Sequence, residues 1–225
     1  MIYRGAIFDM DGVLFDTERV YQQTWSEIAR ECGVILEKDF VHAISGTNGK
    51  RMNAVLEEYY HVEDGAIIAN ECMKRMREKL ISDVPVKTGA YEILRFFREQ
   101  EVKIAVASSS SSKQIRFNLQ KADMEQFFDE IISGTEVKKG KPEPDIFQYA
   151  ARKLGCEPKM CYVFEDSENG VKAGYAAGCR TIMVPDLTEP TEEIKKYCSD
   201  ISEDLLQALK KIEQRETGFL SSTGL

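Results

Sequence analysis

An unbroken apolar run, Gly5-Ala6-Ile7-Phe8, opens this chain and ends at the acidic pair Asp9 and Asp11. Short apolar runs bounded by polar residues predict strands buried on both faces. The pattern recurs at 102–107, 130–133, 160–164 and 180–184. Between these runs apolar residues return every three or four positions, which predicts helices over 88–100, 112–122, 143–154, 169–177 and 203–213. Pro142 and Pro144 set the start of the third, and Gly178 closes the fourth. Strands separated by helices imply a parallel sheet with right-handed crossovers.

The stretch 17–85 has no such strand. Asp16 or Thr17 can cap a helix whose Tyr21, Trp25, Ile28 and Ala29 share one face, and Gly33 ends it. Further helices are predicted over 38–44, 50–60 and 64–80, the last carrying the stripe Ile67, Ile68, Cys72, Met76 and Leu80. Trp25 and Tyr59 belong to the core of this helical block. The predicted fold is α/β: a doubly wound, Rossmann-like parallel-sheet core from 1–16 and 86–215, with an all-helical cap domain, 17–85, inserted after the first strand. Residues 216–225 read as an unstructured tail. There is no internal repeat and no low-complexity segment.

Hydrophobic residues make up 43% of the 225 positions, enough for a core. Lys and Arg number 30 against 38 Asp and Glu, a formal net charge of −8. That balance argues against broad nucleic-acid binding, which needs clustered cations, and against adhesion to anionic membranes. Charged residues at 30% and a mean hydropathy of −0.36 describe a soluble chain. No stretch approaches eighteen consecutive apolar residues. The N-terminal run is cut by Asp9 and Asp11 and reads as a strand rather than a signal peptide. Six cysteines without a Cys-x-x-Cys, and only two histidines, argue against a zinc site and read as buried, reduced thiols. The expectation is a cytoplasmic monomer.

Two carboxylates just beyond a strand sit where open α/β sheets bind ligands. At about 5 Å and an effective dielectric of about 20, two like charges repel by roughly 3 kcal/mol, so a cation is expected there. Asp-x-Asp also occurs in solvated turns, and its meaning rests on the polar residues at the other strand ends. These are Ser108 after the second strand, Lys141 in the loop before the 143–154 helix, and Glu165 and Asp166 after the 160–164 strand. Each alone has an ordinary reading: a helix N-terminal loop, a loop lysine, an acidic turn before a helix. In this order, at these places in a parallel sheet, they form one constellation.

Phe8-Asp9-Met10-Asp11-Gly12-Val13, Val106-Ala107-Ser108-Ser109, Lys139-Gly140-Lys141-Pro142-Glu143-Pro144-Asp145 and Phe164-Glu165-Asp166-Ser167 resemble the motifs of the haloacid dehalogenase-like hydrolases. More narrowly they resemble the β-phosphoglucomutase-like branch, and Gly170, Ala173, Ala176 and Gly178 continue the match. The resemblance covers the chain to about residue 212 and is specific for fold and chemistry, not for substrate. It implies that Asp9 attacks phosphorus, that Asp11 is the general acid and base, and that Ser108, with nearby backbone N–H groups and Ser109, holds phosphoryl oxygens. It implies that Lys141 offsets charge and contacts substrate. Metal ligands would be Asp9, Asp11 through its carbonyl, Asp166, and Glu165 directly or through water. A hard-oxygen donor set without His or Cys favours Mg²⁺.

The resemblance also makes 17–85 a cap that closes over the site and excludes water. Gly46, Thr47, Asn48, Lys50 and Arg51 in its loop, and Tyr21 on its first helix, are candidate substrate contacts. A plain helix–helix turn is the other reading of that loop. Mutase members carry His where this chain has Tyr21, and Arg at the offset from Gly46 occupied here by Gly49. The departures favour a Mg²⁺-dependent phosphatase for a small phosphorylated metabolite, such as a sugar phosphate, over a β-phosphoglucomutase. A phospho-accepting receiver domain is the non-enzymatic alternative; receivers place their acceptor Asp on a central strand and lack a helical insertion.

Overall fold

The computed structural model describes residues 3–44, 47, 49–82, 84–187 and 189–222. The chain divides into two compact units, Met1–Asp16 with Pro85–Leu225, and Thr17–Val84.

The first unit holds a six-stranded sheet in the order β3-β2-β1-β4-β5-β6, parallel throughout. Its strands are β1 (Gly5–Phe8), β2 (Lys103–Ser108), β3 (Glu130–Ser133), β4 (Cys161–Glu165), β5 (Arg180–Met183) and β6 (Asp200–Ile201). β1 and β4 are buried along their whole length; β1 is apolar throughout, and β4 is apolar as far as Phe164 and ends on the buried Glu165. Side-chain alternation splits the core between the two faces of the sheet. Ile7, Ala105, Ala107 and Val163 pack with Ile146, Phe147, Ala150 and Ala173. The last four come from the helices Asp145–Lys153 and Glu168–Ala176. Phe8 and Phe164 belong to the opposite set: their rings stack at 4.5 Å, and Phe97, from the helix Ala90–Glu99, meets both at about 6 Å. The helices Ser112–Lys121 and Leu205–Ser222 complete the doubly wound arrangement.

The second unit contains the helices Thr17–Glu31, Phe40–Ile44, Gly49–Tyr60 and Gly65–Ser82. In chain order the helices are now α1 to α9, from Thr17–Glu31 to Leu205–Ser222. Trp25, Phe40 and Tyr60 are its buried centre, and the Tyr60 hydroxyl donates to the Trp25 carbonyl at 2.7 Å. Tyr59 packs edge-on against Phe40. Arg75 clamps Glu31 through two hydrogen bonds of 2.7 Å, joining α4 to α1.

The two chain segments that connect the units are bonded to each other within the α/β unit. Asp16 N–H donates to the Pro85 carbonyl at 2.8 Å and Lys87 N–H to the Leu14 carbonyl at 2.9 Å. Lys87 is tied in turn to Asp186, beyond β5, at 2.7 Å.

Several features differ from expectation. β6 has two residues and half-buried side chains, too little pattern to announce a strand. α9 runs to Ser222, past the predicted end at 213 and through most of the stretch read as an unstructured tail. No helix breaker intervenes between 213 and 217, and Arg215 reaches back to Asp200 at 2.5 Å. Cys32 is exposed, and Cys156 and Cys198 are only partly covered, so the cysteines are not uniformly buried. Among the described residues no helix is long and apolar enough to cross a membrane.

Candidate active site

Chain order and sheet order disagree at β1. From β1 the chain goes to β2 on one side, outward to β3, then back across to β4 on the other side. Such a switch point opens a crevice beyond the C-terminal strand ends. In-register pairing of Phe8 with Phe164 sets Asp9 beside Glu165, and the Asp9 N–H donates to the Phe164 carbonyl at 3.0 Å.

Met10 is the anchor between the two acids. It is fully buried, its sulfur 3.8 Å from the amide of buried Asn118, and its carbonyl accepts from Leu14 and Phe15 N–H. The loop therefore turns back at once while Asp9 and Asp11 flank the buried residue. Gly12 makes that turn at φ +82°, and a Cβ there would lie 2.3 Å from the Asp166 carboxylate. Only glycine serves both the conformation and this close approach.

Lys141 joins the two central strands. Its ammonium contacts Asp9 Oδ1, lies 2.5 Å from Glu165 Oε1, and rests over the Phe147 ring at 5.1 Å. Glu165 Oε2 accepts from Asp166 N–H at 3.0 Å, Ser167 N–H at 3.1 Å and the Ser167 hydroxyl at 3.0 Å. Ser167 also accepts from Gly170 N–H, capping α8. A Cβ on Gly170 would sit 1.8 Å from the Glu165 carboxyl carbon, so glycine is what admits this carboxylate against the helix.

Both oxygens of Glu165 are thus engaged. Glu165 anchors Lys141 and the Asp166–Ser167 turn. Burial pushes the Asp9 carboxyl up to about 7 against the pull of the Lys141 ammonium, with Glu165 and Asp11 adding to the push. Burial alone would lower Lys141, but its two carboxylate partners outweigh that and hold it above its ordinary value.

Ser108 ends β2 and is 1% exposed; its oxygen accepts from Ser110 N–H at 3.1 Å. Ser109 is exposed on the same loop. Ser110 was not singled out by the sequence, yet its hydroxyl donates to Asp11 Oδ2 at 3.1 Å. The signal available was the serine run 108–112, in which Ser111 supplies the N-cap of α6.

The α/β unit therefore brings together Asp9, Asp11, Ser108, Lys141, Glu165 and Asp166. The other candidates lie in the helical unit. Tyr21 is on α1, its hydroxyl 3.5 Å from the Met73 sulfur. Lys50 and Arg51 are exposed on the first turn of α3, and Thr47 donates to the Ile44 carbonyl at 2.6 Å. Gly46 and Asn48 lie outside the described residues.

For a metal, the chemistry of the donors decides. Among the described residues no three His, Cys, Asp or Glu side chains are grouped to hold an ion. Asp9 and Asp166 with the Asp11 carbonyl are hard oxygen donors, too few for an all-protein cage. That set fits Mg²⁺, which keeps waters and shares substrate phosphate, and does not fit Zn²⁺.

Residues 6–184 match the haloacid dehalogenase-like hydrolase family. The chain belongs to that family. It is 33% identical to the phosphorylated carbohydrates phosphatase of Thermotoga maritima over 79% of this chain and 83% of that protein. It is 30% identical to hexitol phosphatase B of Escherichia coli over 80% of this chain and 83% of that one. A crystal structure of a family hydrolase from Deinococcus radiodurans R1, with bound phosphate and sodium, superposes with a TM-score of 0.77 at 26% identity. It covers 96% of this chain and 97% of that one.

Proposed function

We propose that this hydrolase is a Mg²⁺-dependent phosphatase for a small phosphorylated carbohydrate, working through an aspartyl-phosphate on Asp9. The observation that carries the reading is the buried Lys141 bridging Asp9 and Glu165 at the switch point. A carboxylate buried this deeply needs a cation beside it to attack an anionic ester. The two curated relatives, phosphatases of carbohydrate or polyol phosphates by name, support the substrate class.

Asp9 attacks phosphorus as the bond to the ester oxygen breaks, and Asp11 delivers a proton to the departing alkoxide. Asp11 then takes a proton from water as it attacks the phosphoryl group, releasing phosphate and restoring Asp9. Ser108 binds phosphoryl oxygen, and Lys141 offsets the charge shared by nucleophile and phosphoryl group. Asp9, Asp166 and the Asp11 carbonyl would hold Mg²⁺, which would supply charge neutralisation for the transferring group. Tyr21 and Gly49, in place of the mutase His and Arg, favour transfer to water over return to a sugar.

The test supplies hexose and hexitol phosphates with Mg²⁺ and follows inorganic phosphate. Steady phosphate release is expected. Rapid conversion of β-glucose 1-phosphate to glucose 6-phosphate, with catalytic glucose 1,6-bisphosphate and little phosphate release, would make the protein a mutase instead.

A further inference from the structure

We propose that Ser110 is a positioning residue that holds Asp11 in register with the leaving group. The inference rests on the acid–base role given to Asp11 above.

Three groups of Ser110 are committed at once. Its N–H donates to Ser108 Oγ at 3.1 Å, its carbonyl accepts from the Ser133 hydroxyl at 2.7 Å, and its own hydroxyl donates to Asp11 Oδ2 at 3.1 Å. Ser133 is itself fixed at the end of β3, where its N–H donates to Glu136 at 2.9 Å and its hydroxyl meets Thr135. The serine loop also leans on bare backbone, since a Cβ on Gly134 would stand 3.1 Å from Ser109 Cα. The loop is thus clamped from β3, and Ser110 Oγ is a fixed point rather than a mobile surface hydroxyl.

Asp11 is less enclosed than Asp9. It is partly exposed, and its carboxylate hangs from the turn after β1. A proton donor must be aligned with the ester oxygen as the bond breaks, and an unrestrained carboxylate loses that alignment. The bond from Ser110 fixes the orientation of the Asp11 carboxylate through Oδ2. It also links Asp11 to Ser108, the phosphoryl-binding residue, through one residue of backbone. Ser110 touches no reacting atom.

The experiment compares a hexitol phosphate, whose alkoxide needs a proton to leave, with p-nitrophenyl phosphate, whose phenolate does not. kcat/KM is the readout, because it reports transfer to Asp9 before the water step. With Ser110→Ala in the full chain with Mg²⁺, loss of one orienting hydrogen bond is expected to lower kcat/KM about tenfold on the hexitol phosphate. The p-nitrophenyl phosphate value should change by less than about threefold, and Ser110→Thr should restore the hexitol phosphate rate. In an Asp11→Asn background, Ser110→Ala should have no further effect. Equal losses on both substrates, or a loss that persists without the Asp11 carboxylate, would overturn the proposal. Full activity of Asp11→Asn alone on the hexitol phosphate would instead overturn the acid–base role on which it rests.

Discussion

Replacing Asp9 with Asn should move activity and stability in opposite directions. The Asp9 carboxyl goes from 3.8 when unfolded to about 7 in the fold, because burial outweighs the Lys141 ammonium. Between those values the folded chain binds a proton that the unfolded chain has released, so stability falls as pH rises through that window. A carboxyl moved from 3.8 to about 7 corresponds to a cost on the order of 4 kcal/mol, fully present above pH 7. Asn is isosteric, neutral, and still able to accept from Lys141, so it escapes this cost. Urea unfolding with a chelator at pH 5 to 8 checks it. Far-UV circular dichroism is the right probe, since the single tryptophan, Trp25, reports the helical unit alone. The wild-type protein should lose stability from pH 5 to 7 more steeply than Asp9→Asn, and the variant should be the more stable at pH 8. Phosphate release by the variant should fall by about three orders of magnitude or more, over 4 kcal/mol in the barrier. Parallel pH slopes would mean that burial does not dominate the Asp9 environment. Retention of more than about a tenth of the activity, a loss under roughly 1.4 kcal/mol, would remove Asp9 as nucleophile.

Lys141→Ala leaves two buried carboxylates without their cation and should destabilise the metal-free protein by about 3–5 kcal/mol at pH 8; adding Asp9→Asn should recover part of that in the same urea titrations. Gly170→Ala drives a methyl into the Glu165 carboxylate, 1.8 Å from its carbon, and should lower both the thermal midpoint and kcat, whereas unchanged kcat would detach Glu165 from the site. Chelation should abolish phosphate release and Mg²⁺ restore it, while Asp166→Ala should raise the Mg²⁺ concentration needed by tenfold or more, about 1.4 kcal/mol; a metal-independent rate in the chelated wild type would exclude the metal.

The central strands β1, β2 and β4 were legible because burial on both faces leaves an apolar run in each, whereas β5 opens on Arg180 and Thr181 and shows its apolar character only from Ile182. β6 lacks that signal, since an edge strand of two residues needs only its backbone to pair. α7 begins at Asp145 rather than two residues earlier because Pro144 occupies the cap position. The acids, Ser108 and Lys141 could be picked out because parallel α/β sheets gather polar residues at strand ends. What no local pattern carries is direction. Lys141 meets Asp9 across 132 positions of chain, and Glu165 faces Lys141 only because Gly170 lacks a side chain and Ser167 offers a hydroxyl. The Ser110–Asp11 bond was hidden for the same reason: five serines in a row give no sign of which one points at an acid.

These directions divide the site into two kinds of residue. Glu165, Ser167 and Gly170 form the join between β4 and α8, so the hydrogen bonds that end the strand and start the helix are the ones that aim the Lys141 ammonium. Change there cannot be confined to chemistry, because the backbone N–H groups of Asp166 and Ser167 lose their acceptor with it. Asp11 and Ser110 hang from loops that are clamped elsewhere, by Met10 in the core and by Ser133 on β3. Their side chains can be altered with little effect on folding, which makes them the positions where a change in rate can be read as a change in mechanism. Asp9 belongs to neither kind. Its backbone completes the β1–β4 pairing, while its buried charge opposes the fold that holds it, and Lys141 is the group through which one strand end tolerates both.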